Sequence, residues 1–552
     1  MPVERRARAR RSLTDAASRR FAATRAGRAV AELRMRRVPL HWTNMFGAAS
    51  LASLAVLFVT GILLMFVYAP SSERVVYHGP WMPLEGITVS KAYASTMAIS
   101  FEAPGGLLLR QLHHWAALLL PATLILQILV SFFTGAFRRP RRGAWVALYL
   151  LFIAVLADGW SGYALPDDML GGTGLRIVQG IVLAIPFVGV QLSTLLFGGE
   201  FPGQIIEHLY PVHVAIVPVA LLVLIWVRAR AAYRVQPPQF TGPGRTEDDI
   251  VGVAWPAAAA RSGGLAAMVA GLLVLIASTV AVAPIWDYGP SSPGDASAGS
   301  QPDWYTGFLD GALRLVPPGW EFVWLHRTWP LALLVPVAVT GAFLLAGFIY
   351  PFFEEWVTGD PRPHNLLDRP RNAPIRTAIG IAALLFYGVL WGAAGADIVA
   401  VQFGLALESV IAFFQVAVFL APIVGFEIAR RVCMALQRKD RGILLHGYES
   451  GRIVRLPGGE YIEVHSAVPA EDRWRHEGPA ASHPYLARPD EHGQLRAVVR
   501  VRAALSRLFF EERLEPIPTS VLDEPTVATL DAVASETADR VSHPATVSGQ
   551  HF

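Results

Sequence analysis

Long uninterrupted apolar runs dominate the chain, rather than the alternating pattern of strands or the one-sided stripe of surface helices. A helix needs about 20 apolar residues to cross a bilayer. Runs of that order fall at about 45–68, 112–137, 144–157 continuing to about 164, 209–227, 264–285, 328–352, 377–395 and 409–426. The pattern therefore predicts eight transmembrane helices. A further stretch, 177–198, is equally apolar, and hydropathy alone does not tell it from a span.

The positive charges decide. Cytoplasmic loops retain lysine and arginine. With eight spans and both ends inside, the inner loops carry Arg138, Arg139, Arg141 and Arg142, then Arg228, Arg230, Arg234, Arg245 and Arg261, then Arg362, Arg369, Arg371 and Arg376. The outer loops hold only Arg74 and Lys91, Arg176, and Arg314 and Arg327. Were 177–198 a span, every later loop would invert and the bias would contradict itself. Gly180, Pro186 and Gly189 also interrupt it, so the region about 168–200 reads as one or two helices lying along the outer surface.

The expected class is an all-α polytopic membrane protein. Residues 1–40, with twelve arginines, form a cytoplasmic N-terminus. Residues 41–262 carry the first four spans and 263–434 the last four. The connection 287–327 is rich in Gly, Pro and Ser yet holds a Trp-Tyr pair, and loops this long are commonly functional. The tail, 435–552, is expected in the cytoplasm. Its Gly442–Ser466 part reads as short strands around a Pro457-Gly458-Gly459 turn, and the chain after about 515 as disordered.

Composition sharpens this. The 552 residues are 53% hydrophobic and 16% charged, against about 25% charged in soluble proteins, which excludes a soluble multidomain protein. A single cysteine, Cys433, excludes a disulfide framework, a cysteine-ligated cluster and a Cys-x-x-Cys-His haem attachment. Any redox metal must be held without thiolates.

Histidines inside the spans are the candidate ligands. His113 and His114 open the second span and His213 lies near the start of the fourth. Ionisable groups in a span point to function, and two histidines on facing helices suit a b-type haem iron. Packed, hydrogen-bonded interface histidines are the other reading. Arg110, one turn before His113, places a guanidinium where a haem propionate would emerge. Gly47 and Gly61 are fourteen residues apart, which puts them on one helix face about 21 Å apart along the axis. Close helix packing explains such glycines equally well.

Five motifs together carry a resemblance. Leu109-Arg110-Gln111-Leu112-His113-His114-Trp115, Gly162-Tyr163-Ala164-Leu165-Pro166-Asp167-Asp168, Pro302-Asp303-Trp304-Tyr305, His364-Asn365-Leu366-Leu367-Asp368-Arg369-Pro370-Arg371 and Leu436-Gln437-Arg438-Lys439-Asp440-Arg441 resemble cytochrome b, the quinol-oxidising subunit of respiratory cytochrome bc complexes, in its actinobacterial form. The likeness covers about residues 38–465. It implies that the first four spans form a haem-binding bundle and that the last four, with the 287–327 loop, complete the quinol site.

The resemblance implies His113 and His213 as axial ligands of an outer haem b, Arg110 at its propionate, and Gly61 and Gly162 against its ring. His208 stands where the family usually has a second arginine. The quinol site would be built from Pro302, Asp303, Trp304, Tyr305 and Tyr163, with Asp303 as proton acceptor. The inner haem set does not transfer. Gln127 stands fourteen residues after His113, and Val227 and Arg228 stand fourteen and fifteen after His213. Val130 and Leu148 replace an expected arginine and glycine. Only Gly47 survives, and Arg228 reads as a positively charged flank reaching back to the interface.

The expectation is thus a membrane quinol–cytochrome c reductase subunit with one outer haem b and no inner one. It would act with a Rieske-type iron–sulfur subunit and a c-type cytochrome subunit. A terminal oxidase and a second copy of the chain are further partners, and nucleic acid is not. A two-haem subunit with unusual inner ligation and a haem-free paralogue kept for assembly are the rival readings.

Overall fold

The computed structural model describes residues 23–199, 201–292, 301–478, 484–487 and 496–511. The first residues of the arginine-rich N-terminus and the expected disorder after 515 lie outside these. Among the described residues, eight helices are long and apolar enough to cross a membrane. We label them α1 (Asn44–Met65), α2 (Gly106–Phe133), α3 (Arg142–Ala164), α4 (Ile205–Arg234), α5 (Trp255–Thr279), α6 (Leu331–Thr358), α7 (Pro374–Ala394) and α8 (Leu407–His446). Helices close all backbone hydrogen bonds within the segment, as a bilayer demands. The strands form only short two-stranded pairs.

Two boundaries differ most from the sequence expectation. Helix α5 starts at Trp255 because Pro256 and four alanines extend it through Arg261, which was expected in the loop. Helix α8 runs for 40 residues, since Arg430 to Arg441 continue it past its apolar part with local pairs such as Arg430–Glu427 at 2.9 Å. The ambiguous apolar region becomes helices Met169–Ala184 and Gly189–Phe197. They break around Pro186 and Phe187, whose φ is +68°. With 16 and 9 residues, neither reaches spanning length.

Helix α1 packs on α2, α2 on α3 and α3 on α4, while α5 lies against α1 and α2, and α7 against α8. Buried Leu120, Leu124, Leu148, Leu151, Phe152, Val155 and Leu221 form a dry layer across α2, α3 and α4. One end of the bundle is covered by the helix Lys91–Phe101 and by residues following α5, joined where the Tyr93 hydroxyl donates to the Ile285 carbonyl at 3.1 Å.

At the opposite end, charges clamp the two halves together. Arg376 of α7, 1% exposed, meets Glu354 of α6 and Asp368, each at 2.9 Å, and Asp368 also meets Arg138 at 2.9 Å. Buried ions persist only when paired in this way. Beyond α8, Tyr448–Arg455 pairs antiparallel with Tyr461–Ser466. Asp440 then receives Arg371 at 2.6 Å and His476 at 2.8 Å. The helix Ala497–Glu511 seats Phe509 against Val357 and Ile375.

Candidate functional site

Pro211 opens a π-helical turn, Val212–Ile216, inside α4. Proline removes one ladder hydrogen bond, and such turns re-aim side chains at functional positions. This one carries His213 to face His113 of α2, with ring centroids 6.2 Å apart. Two metal–imidazole bonds of about 2 Å, each with roughly 1 Å from nitrogen to ring centre, span about 6 Å.

Hydrogen bonds fix which nitrogens are free. His213 Nδ1 lies 3.0 Å from the Asp158 carbonyl, which can only accept, so Nδ1 carries the proton. The Thr60 hydroxyl donates to the Val56 carbonyl at 2.7 Å and therefore accepts from His113 Nδ1 at 2.8 Å. Both Nε2 atoms are left as bare lone pairs. An iron-ligating histidine is oriented through its other ring nitrogen in this manner. Thr60 and Asp158 were not anticipated from the sequence, because their roles depend on neighbours 53 and 55 residues away.

Both histidines line one cavity of about 240 Å³, together with Gly61, Arg110, Gly162, Tyr163, Asp303 and Tyr305. Arg110 donates from Nη1 to the Ala283 carbonyl at 3.1 Å, yet its buried Nε and Nη2 have no partner. Orphaned buried guanidinium donors are costly unless an anion arrives. The glycines make room for the imidazoles themselves: a Cβ on Gly162 would stand 2.5 Å from His213 Cε1, and one on Gly61 3.2 Å from His113 Cε1. Gly162→Ala is therefore expected to displace His213 and weaken haem retention about tenfold, the scale of a disturbed supporting contact, with Gly61→Ala milder. Haem content per chain after detergent purification measures both.

The same cavity holds a carboxylate cluster. Both Asp303 oxygens lie 3.1 Å from His114 Nε2, and Oδ2 accepts from the Tyr305 hydroxyl at 3.0 Å. Tyr305 is 1% exposed. Burial, then the adjacent Asp303 charge, holds its phenol well above the usual tyrosine range. Gly159 admits that ring, since a Cβ there would stand 2.6 Å from the Tyr305 hydroxyl. The Tyr163 hydroxyl donates to the Gln301 carbonyl at 3.4 Å. Buried Asp168 also lines the cavity and accepts from Gly171 N at 3.1 Å, with burial raising its carboxyl to about 6.

Four of the anticipated residues lie elsewhere. Pro302 and Trp304 are part-buried beside the cavity, where the indole donates to the Leu118 carbonyl at 3.3 Å. They anchor the segment that presents Asp303. His208 is exposed, its Nδ1 meets the Leu196 carbonyl at 2.7 Å, and it does not line the cavity. Gly47 lies at the far end of α1, where a Cβ would approach Gln127 Oε1 at 3.9 Å.

The family described as "Cytochrome b(N-terminal)/b6/petB" matches residues 118–290. The chain is 42% identical over 503 residues to the "Cytochrome bc1 complex cytochrome b subunit" of Streptomyces coelicolor, covering 89% of this chain and 91% of that protein. It is 43% identical to the subunit of the same name from Mycobacterium tuberculosis, over 79% and 80% of the two chains. The chain belongs to the cytochrome b subunits of cytochrome bc1 complexes. In fold it is similar to a solved chain of a "Hyperthermophilic respiratory Complex III", with a TM-score of 0.53 at 18% identity, covering 71% of this chain and 93% of that one.

A cytochrome b holds haem b, and the residues at the His113 end fit that group: two facing imidazoles whose Nδ1 atoms are engaged elsewhere, and an arginine with unmet donors at the cavity wall. The other half of the bundle is different. Gln127 Nε2 donates to Ser50 Oγ at 2.8 Å, Ser50 Oγ meets Thr123 Oγ1 at 2.7 Å, and Arg228 Nη2 donates to Gln127 Oε1 at 2.8 Å. Arg228 therefore turns into the bundle rather than back to the interface, because Gln127 offers it an acceptor there. Leu148, 3% exposed, sits in the aliphatic layer, and Val227 is 39% exposed.

Proposed function

We propose that this cytochrome b subunit oxidises membrane quinol at the cavity shared by His113, His213 and Asp303, as part of a quinol–cytochrome c oxidoreductase. The observation that carries this is the position of the Asp303 carboxylate, hydrogen-bonded to Tyr305 and His114 in the same cavity as the histidine pair. Quinol loses two protons as its two electrons leave. A carboxylate able to accept a phenolic proton, beside a cofactor able to accept an electron, meets both needs. Tyr163 and Tyr305 would position the head group.

His113 and His213 would hold one haem b, which supplies one-electron chemistry when bound, with Arg110 pairing a propionate. The sidedness of the arginines supports a His113 end at the outer face and both termini in the cytoplasm. The one cysteine, Cys433, is buried. The second acceptor and the onward carrier would therefore sit on partners: a Rieske-type iron–sulfur subunit and a c-type cytochrome subunit, with a terminal oxidase and a second copy of the chain also in reach.

Adding a reduced quinol analogue to the purified complex is expected to reduce haem b and then the c-type acceptor. Reduction of haem b by dithionite but not by quinol would overturn the reading.

A further inference from the structure

Resting on the reading of His113 and His213 as a haem site, we infer that this chain holds that haem alone, and that the Arg228–Gln127–Ser50 brace occupies the place of a second. The family pattern puts another histidine pair fourteen or fifteen residues further along α2 and α4. Those positions carry Gln127 and Val227 or Arg228.

The place is filled, not merely stripped of ligands. Gln127 uses its amide nitrogen on Ser50 and its amide oxygen on Arg228, while Ser50 meets Thr123. The network thus joins α1, α2 and α4. Amide oxygen is a poor ligand for iron, and a guanidinium carries no lone pair to offer it. Where the family keeps a glycine to let a flat ring approach α3, Leu148 is buried among Leu120, Leu124, Leu151 and Phe152. Val130 stands where an arginine would meet the propionate. Leu120, Val155 and Leu221 belong both to this layer and to the lining of the His113–His213 cavity. The cavity therefore ends on packed aliphatic side chains.

Electron balance gives the functional consequence. Each quinol becomes quinone by releasing two protons and two electrons at the outer site. With no second iron on the inner side, neither electron crosses, and both end on one-electron acceptors of the outer side, the iron–sulfur partner reduced twice. A cycle that returns every second electron to quinone on the inner face releases two protons outside per electron delivered. Without that return the yield halves, to one.

The test is the haem b content of the purified complex by pyridine haemochrome, normalised to this chain by quantitative peptide analysis, with a redox titration of the b band. One haem b per chain and a single one-electron wave are expected. Two haems per chain overturn the inference and leave the quinol-site reading intact, whereas none overturns the haem assignment of His113 and His213 itself. In a second arm, the double variant Gln127→His, Arg228→His is expected to stay at one haem, because Leu148 still fills the volume. A gain to two would show that only ligands were missing and would overturn the occlusion. Proton release by the complex in proteoliposomes, read per electron delivered, should lie near one, and a value near two overturns the consequence.

Discussion

His213→Ala is expected to abolish the haem b spectrum of the complex and, if the proposed c-type partner is present, to leave that partner's haem signal in place. The reason lies in how little else holds the iron. Among the described residues no cluster of three or more His, Cys, Asp or Glu side chains gathers to hold a metal ion, and the proposed ligand set is the facing pair of imidazoles. His213 is held by the Asp158 carbonyl at 3.0 Å and by a π-helical turn that exists because Pro211 precedes it. Alanine at 213 would remove one of the two proposed axial ligands. Thr60→Val acts on His113 only through its Nδ1 contact, and should lower haem affinity about 10–100-fold rather than abolish binding. A dithionite-reduced minus oxidised spectrum reads both. An unchanged b band in His213→Ala would remove the axial assignment, and equal losses in both variants would mean the helices, not the ligand, had failed.

The sequence made the spans legible because a bilayer leaves one solution for the backbone, and uncharged runs of sufficient length advertise it. Arginine placement then separated the surface helices Met169–Ala184 and Gly189–Phe197 from a ninth span. Where polarity and helix length part company, the reading failed. Helix α8 continues through Arg430–Arg441 because helical charge pairs replace apolar packing there, and Arg261 with Gly263 and Gly264 interrupts the apolar run although helix α5 continues through them.

The site divided along a similar line. His113 and His213 stood out as ionisable groups in apolar surroundings, Arg110 by its place one turn before His113, and Asp303 through the resemblance carried by its Pro-Asp-Trp-Tyr motif. Thr60, Asp158 and Gly159 act through partners on other helices, at sequence distances with no fixed spacing. His114 was visible beside His113, but its role depends on Asp303, 189 residues away. Arg228 was misjudged for a related reason: a charged flank is expected to reach for the interface, and only the fold shows an amide oxygen nearer by. The His364–Arg371 and Leu436–Arg441 motifs contribute ion pairs between segments. Asp368 pairs with Arg138 and Arg376, and Arg371 with Asp440, and none of the five lines the His113–His213 cavity.

Asp303→Asn is expected to lower quinol turnover by about 10²–10⁴-fold, the usual worth of a positioned acid or base, with haem content unchanged. Asparagine keeps the size of the side chain and an oxygen to accept from the Tyr305 hydroxyl, so the 3.0 Å contact and the packing of Tyr305 survive. What it loses is the negative charge and the ability to take a phenolic proton. Quinol that cannot shed its proton yields its first electron slowly, whatever the acceptor, so the defect belongs in kcat more than in KM. Tyr305→Phe removes only the donor to Asp303 Oδ2 and should cost less. Because Asp303 touches His114 and not His113, the b band and its ligand geometry are expected to persist, which separates loss of proton transfer from loss of the cofactor. Steady-state reduction of the c-type acceptor, measured beside the haem spectrum of the same preparation, decides. Turnover within a factor of two or three of the parent would exclude Asp303 as the proton acceptor, and a missing b band would place the residue in the structure of the bundle instead.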